Sequence, residues 1–142
     1  MTFNDIIDAI CITINNVFGD EYTIYTESIK QGFEEPCFFI HNFSSTNNLF
    51  LGNRYFRESQ FCINYFPSDP NGKNTECNDV AERLYECLDW LDVGDNLLRG
   101  IGLKHDILDG VLNFYVNYNA FEYKLRHTTP MGEIIKNLRV RE

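Results

Sequence analysis

The chain has 142 residues, 44% hydrophobic and 15% aromatic, with 12 Lys and Arg against 21 Asp and Glu, a formal net charge of −9. That apolar content is enough to fill one packed core, burying about 68% of the surface an extended chain exposes, and it argues against disorder. No apolar run reaches the ~18 residues of a membrane span, and the acidic balance opposes a nucleic-acid surface, because phosphate binding depends on Lys and Arg releasing counterions.

The charge is uneven. From Arg126 onward, Arg126, Lys136, Arg139 and Arg141 outnumber Glu133 and Glu142, so a basic tail follows an acidic body and could find a complement in another copy of the chain. The start, MTFNDIIDAICITINNVF, lacks the basic opening of a secretory signal, and a protein that stays where it is made is expected. Cys11, Cys37, Cys62, Cys77 and Cys87 are odd in number and far apart. None has zinc-site spacing, so buried reduced thiols are expected.

Residues 3–18 read as a helix, with Ile6, Ile10, Ile14 and Val17 on one stripe, Ile7, Cys11 and Phe18 beside it, and Thr2 as N-cap with Asp5 in the first turn. Gly19 is placed to end it in the left-handed conformation. Residues 22–26 alternate as a short strand, KQGFEEP punctuates, and 37–43 (CFFIHNF) is β-rich, bounded by Pro36 and by SSTNN. The stretch 44–53 reads as a loop exposing Leu49, Phe50 and Leu51.

Next comes the strand RYFRESQFCINYF, residues 54–66. Arginine interleaved with aromatics is one way to hold single-stranded nucleic acid. Here Arg54 and Arg57 are three apart, so a strand sends them to opposite faces and no single basic platform forms. Tyr55, Phe61, Ile63 and Tyr65 share one face with Arg57 and Ser59; Phe56, Cys62 and Phe66 lie on the other with Glu58, Gln60 and Asn64. Neither face is purely polar, which predicts cover on both sides along part of the strand. Pairing with carboxylates, within the chain or across a subunit boundary, is the expected role of both arginines.

After the turn-rich SDPNGKN, residues 75–91 (TECNDVAERLYECLDWL) show an apolar stripe of Cys77, Val80, Ala81, Leu84, Cys87, Leu88 and Leu91 at helical spacing. Asn74 or Thr75 would cap its start and Gly94 its end. Asp109-Gly110 between apolar runs is a two-residue hairpin turn. It sets Leu108 against Val111, Ile107 against Leu112, His105 against Phe114, Leu103 against Val116 and Ile101 against Tyr118. After Ala120 the apolar phase moves to Phe121, Tyr123 and Leu125, which predicts a bulge or a change of environment. The fold class expected is α+β: a mostly antiparallel sheet of four to five strands with two helices packed on it. Residues 1–126 form one domain and 127–142 a tail, in which Met131, Ile134, Ile135 and Leu138 fall at helical spacing.

Reactive constellations are scarce. His105 would point into the core, where an isolated histidine is more often a packed group than a base, and the local sequence supplies nothing to orient it. His41 and His127 have no ligand spacing, Ser44 and Ser45 lack a nucleophile elbow, and no phosphate-binding glycine motif occurs. No enzyme activity, metal or cofactor is expected.

Several stretches, taken in order, resemble the small tail terminator (tail completion) proteins of long-tailed phages and prophages infecting Gram-positive bacteria. They are TFNDIIDAI, GDEYTIYTESIKQGFEEPCFFI, LGNRYFR with CINYFP, ECNDVAERLYECL and DGVLNFYVNY, and they cover about residues 2 to 123. The resemblance implies an α+β subunit that forms a ring, a hexamer in related phages. The ring caps the tail tube, stops tube-protein polymerisation and offers a surface to the head–tail connector, without catalysis. It places the protein in the virion tail, and in the host cytoplasm during assembly. DNA would pass through such a ring, which predicts acidic or neutral pore-lining side chains. The candidate contact residues are Leu49, Phe50, Leu51, Arg54, Arg57, Lys136, Arg139 and Arg141. Three alternatives stay open: a connector or stopper of the same machine, a monomeric adaptor binding a protein through a strand edge, and an enzyme using His105 with a distant carboxylate.

Overall fold

The structure, a computed structural model, describes residues 1–27, 32, 34–68, 71 and 73–123. The expected tail 127–142, with Lys136, Arg139 and Arg141, lies outside them. At the start of the chain, the Asp5 amide donates to the Thr2 hydroxyl at 3.1 Å and the Thr2 amide to the Asp5 carboxylate at 2.8 Å. This reciprocal pair satisfies two amides that no helical carbonyl can reach. Helix α1 (Phe3–Phe18) follows and buries Ile6, Ala9, Ile10, Ile14 and Phe18. Val17, expected on the buried stripe, is 39% exposed, and Phe18 takes the inward position instead. Gly19 ends the helix with φ +91° and ψ −176°, an extended glycine conformation rather than the left-handed helical one expected.

The remaining elements are β1 (Thr23–Tyr25), β2 (Cys37–Leu51), β3 (Arg54–Phe66), α2 (Lys73–Cys87), β4 (Trp90–Val93), β5 (Asn96–Leu108) and β6 (Val111–Tyr123). They build a six-stranded sheet in the order β1-β2-β3-β6-β5-β4. The α+β class is as expected, but the described residues form six strands rather than four or five, and β1 runs parallel to β2. Helix α1 touches both β2 and β4, and α2 touches β5 and β6. In a flat sheet β2 and β4 would stand about 19 Å apart, four strand spacings. The sheet therefore curls around α1, and the core fills the concave side.

Four boundaries differ from those the sequence suggested. Helix α2 begins at Lys73, so Asn74 and Thr75 lie inside it and do not cap it. Residues 44–51 are strand, paired with Arg54–Gln60 of β3. Their Ser, Thr and Asn content reads as loop because both faces of this arm are exposed and no alternation survives. The second helix stops at Cys87, and Trp90–Val93 turns into β4. Leu88 and Leu91 are still fully buried, so the helical periodicity ran on through two residues that reach the same core from different backbones. Gly94, with φ +61°, serves the β4–β5 turn and not a helix end.

The β5–β6 hairpin turns at Asp109-Gly110, both at positive φ, and its register holds from Leu108 opposite Val111 back to Lys104 opposite Tyr115. Beyond that it slips: Ile101 faces Asn117, not Tyr118, because Gly102 at φ +65° introduces an irregularity. No register shift occurs near Ala120, where β6 continues against β3 to Tyr123; the phase change there marks a change of environment. At the corner where β5 leaves β6 for β4, the Gly100 amide donates to the Asp89 carbonyl at 2.6 Å. A Cβ on Gly100 would stand 2.6 Å from the Leu88 carbonyl oxygen, so only glycine fits.

Candidate assembly surface

On the concave face β3 contributes Arg57, Ser59, Phe61, Ile63 and Tyr65, all buried. Arg57 donates to the Glu122 carboxylate at 3.2 Å and to the Met1 carbonyl at 2.6 Å, and its guanidinium lies 4.2 Å from the Phe3 ring centroid. It therefore ties the start of α1 to the end of β6, and its carboxylate partner is within the chain. Arg54, on the opposite face, does something different. Its guanidinium stands 4.5 Å from the Phe121 centroid, 5.6 Å from Phe50 and 5.8 Å from Tyr123, and among the described residues its buried Nε has no hydrogen-bond partner. Among the described residues no carboxylate of its own chain pairs with it; three rings flank it instead and attract the cation to their negative faces.

Around Arg54 the convex face is apolar. Phe50 meets Phe121 edge-on at 5.1 Å and Phe56 meets Phe121 at 4.9 Å. Leu49, Phe50 and Leu51 are 59%, 57% and 68% exposed, and Tyr123 is 67% exposed. The β2–β3 arm thus places the sequence-predicted Phe50, Leu51 and Arg54 together, whereas Leu49 pairs with Tyr55 on the other face of the arm. Phe121 and Tyr123, which complete the group, were not singled out from the sequence. Their signal was the phase change after Ala120, which moves the apolar residues of β6 from the concave to the convex side.

A second apolar patch sits at the far edge of the sheet, where Trp90, Leu97 and Ile101 are about half exposed and Arg99 lies 5.3 Å from the Trp90 ring. Sequence reading missed it because Trp90 was assigned to a helix. Between the two patches the convex face is mostly polar, interrupted by Phe43, 59% exposed and 5.7 Å from the Tyr115 ring. Thr46 donates to Glu58 at 3.1 Å, Asn64 donates to Asn113, and Asn113 donates to Asp106 at 2.9 Å.

The residues with potential chemistry are dispersed. His105 is exposed rather than in the core, and its Nδ1 is 2.8 Å from the Tyr85 hydroxyl. Among the described residues no three His, Cys, Asp or Glu side chains are grouped to hold a metal, and no helix is long and apolar enough to cross a membrane. The cysteines are free thiols, and burial pushes Cys37, Cys62 and Cys87 up to about 11, away from the thiolate that nucleophilic work needs.

Compared with protein-family models, residues 5–130 match the one described as phage tail terminator protein. Comparison with curated proteins gives no match.

Proposed function

This chain belongs to the phage tail terminator family, a structural component of the virion tail, and on that premise we propose that its two apolar patches join successive copies into a ring that caps the tail tube. The observation that carries this is the Arg54–Phe50–Phe121–Tyr123 group: a cation held by rings on a surface where Leu51 and three aromatic side chains meet water. A ring needs a heterologous contact, one surface of a subunit against a different surface of the next. The β2–β3 arm of one copy and the Trp90–Leu97–Ile101 edge of its neighbour supply two such surfaces. The capped tube stops growing and presents the ring to the head–tail connector. Phages or prophages of Gram-positive bacteria are the proposed source, and a hexamer the proposed closure. No reaction is run; the dispersed histidines and suppressed thiols fit that role.

The test uses single variants and their mixture, sized by light scattering with and without tube protein. Phe50→Ser and Trp90→Ser should each fold and each fail to assemble or cap tubes. Mixed in equal amounts they should give dimers and nothing larger, because each variant retains the patch the other lacks. Wild-type assembly by both variants would overturn the proposal.

A further inference from the structure

A groove of about 580 Å³ runs along the outer flank of α1, between the helix and the β4–β5 turn. Asp5, Asp8, Asp92 and Asp95 line it, with Ile12 and Val93 among them. Ile12 is 62% exposed, an apolar side chain standing in water between carboxylates. Among the described residues no Lys or Arg side chain lines the groove, and Asp8, Asp92 and Asp95 have no ion-pair partner. Like charges gathered around an apolar strip suit a segment carrying both cations and apolar side chains.

The chain itself has one. Residues 124–142 carry Lys124, Arg126, Lys136, Arg139 and Arg141 against Glu133 and Glu142, with Met131, Ile134, Ile135 and Leu138 at spacings of three, one and three. We infer that this C-terminal segment docks into the acidic groove of its own subunit, with its aliphatic residues over Ile12 and Val93 and its basic residues toward the aspartates.

Proximity makes the intramolecular placement the economical one. Arg57 donates at once to Glu122 and to the Met1 carbonyl, so the last described strand ends beside Met1, which lines one end of the groove. From Tyr123, residues 124–130 can reach up to about 24 Å when extended. Residues 131–142, coiled as a helix, would cover about 18 Å, close to the ~17 Å of helix flank between Asp5 and Asn16. Each exposed charge pair contributes little alone, so the aliphatic contact with Ile12 is a required part of the fit. The inference is independent of ring formation.

Amide hydrogen exchange on the full-length protein, followed by mass spectrometry and compared with a synthetic peptide of residues 124–142, tests it. Residues 131–142 should exchange about tenfold or more slowly in the protein than in the peptide. The slowing should be independent of protein concentration and lost in 1 M salt. The double variants Asp8→Asn/Asp92→Asn and Arg139→Gln/Arg141→Gln should each abolish it; the second changes no residue of the folded body, so its outcome does not depend on that body surviving substitution. Exchange as fast as in the peptide, or slowing that both variants retain, overturns the inference. Slowing that disappears on dilution overturns the own-subunit placement and assigns the segment to a neighbour's groove.

Discussion

Arg57 has 8% of its surface exposed and holds together two ends of the fold, Met1 and Glu122, which lie 56 and 65 positions from it in the chain. Truncation to Ala would leave the Glu122 carboxylate half-buried without its cation and the Met1 carbonyl without its donor. The expected loss is about 2 kcal/mol or more of folding stability, read from urea denaturation. Arg54→Ala should cost no more than about 1 kcal/mol by the same measurement, yet abolish binding to tube ends. Tyr118 makes a comparable structural contact, its hydroxyl donating to the Leu88 carbonyl at 2.6 Å in a fully buried site. Tyr118→Phe should destabilise by about 1–3 kcal/mol, since the carbonyl stays buried and unpaired. The thiols of Cys37, Cys62 and Cys87 are raised to about 11 from an ordinary 9.0, so at pH 8 each should carry about a hundredfold less thiolate folded than unfolded. Iodoacetamide should therefore label them slowly until denaturant is added. A raised thiol pKa favours the folded state fully below pH 9. As pH rises from 9 toward 11 the unfolded chain ionises first, and this contribution to stability should fall.

At the level of elements, the sequence was most legible where two local signals agreed. Thr2, Asp5 and the Ile6–Ile10–Ile14 stripe together specify α1, and Asp109-Gly110 with its flanking apolar residues specifies the turn and near register of β5–β6. It misled where a signal was carried by environment rather than by the chain. Residues 44–51 pair as a strand but face water on both sides, so burial never imposed an alternating pattern. Leu88 and Leu91 continue a helical stripe by geometry of the core alone. Part of the candidate surface was legible: Phe50, Leu51 and Arg54 stood out as exposed or charged residues in one segment. Phe121 and Tyr123 join them only through strand pairing from the other end of the chain. The corner at Gly100 was invisible because the close approach of the Leu88 carbonyl is a tertiary fact. Gly100→Ala should destabilise by about 1–3 kcal/mol in thermal or urea melts, despite improving local β preference.

For the whole molecule, a curled sheet with helices inside leaves two apolar patches on its convex side, separated by a mostly polar surface, for the intermolecular contacts proposed above. With 21 acidic and 12 basic residues, an assembled ring should repel duplex DNA rather than bind it. Duplex DNA should accordingly show no mobility shift with the protein at about 0.1 M salt, where phosphate-driven binding by a basic surface would still be strong. A shift that weakens steeply with added salt would count against a channel through which DNA slides. The Arg57 staple also sets a polarity. Because it fastens Met1 beside Glu122, the first residue and the last described strand come out on one side of the subunit. In any closed circle of copies all of these ends must then gather on a single rim. A bulky label fused ahead of Met1 would decorate that rim alone, and electron micrographs of labelled tails would show at once whether it faces the tube or the head.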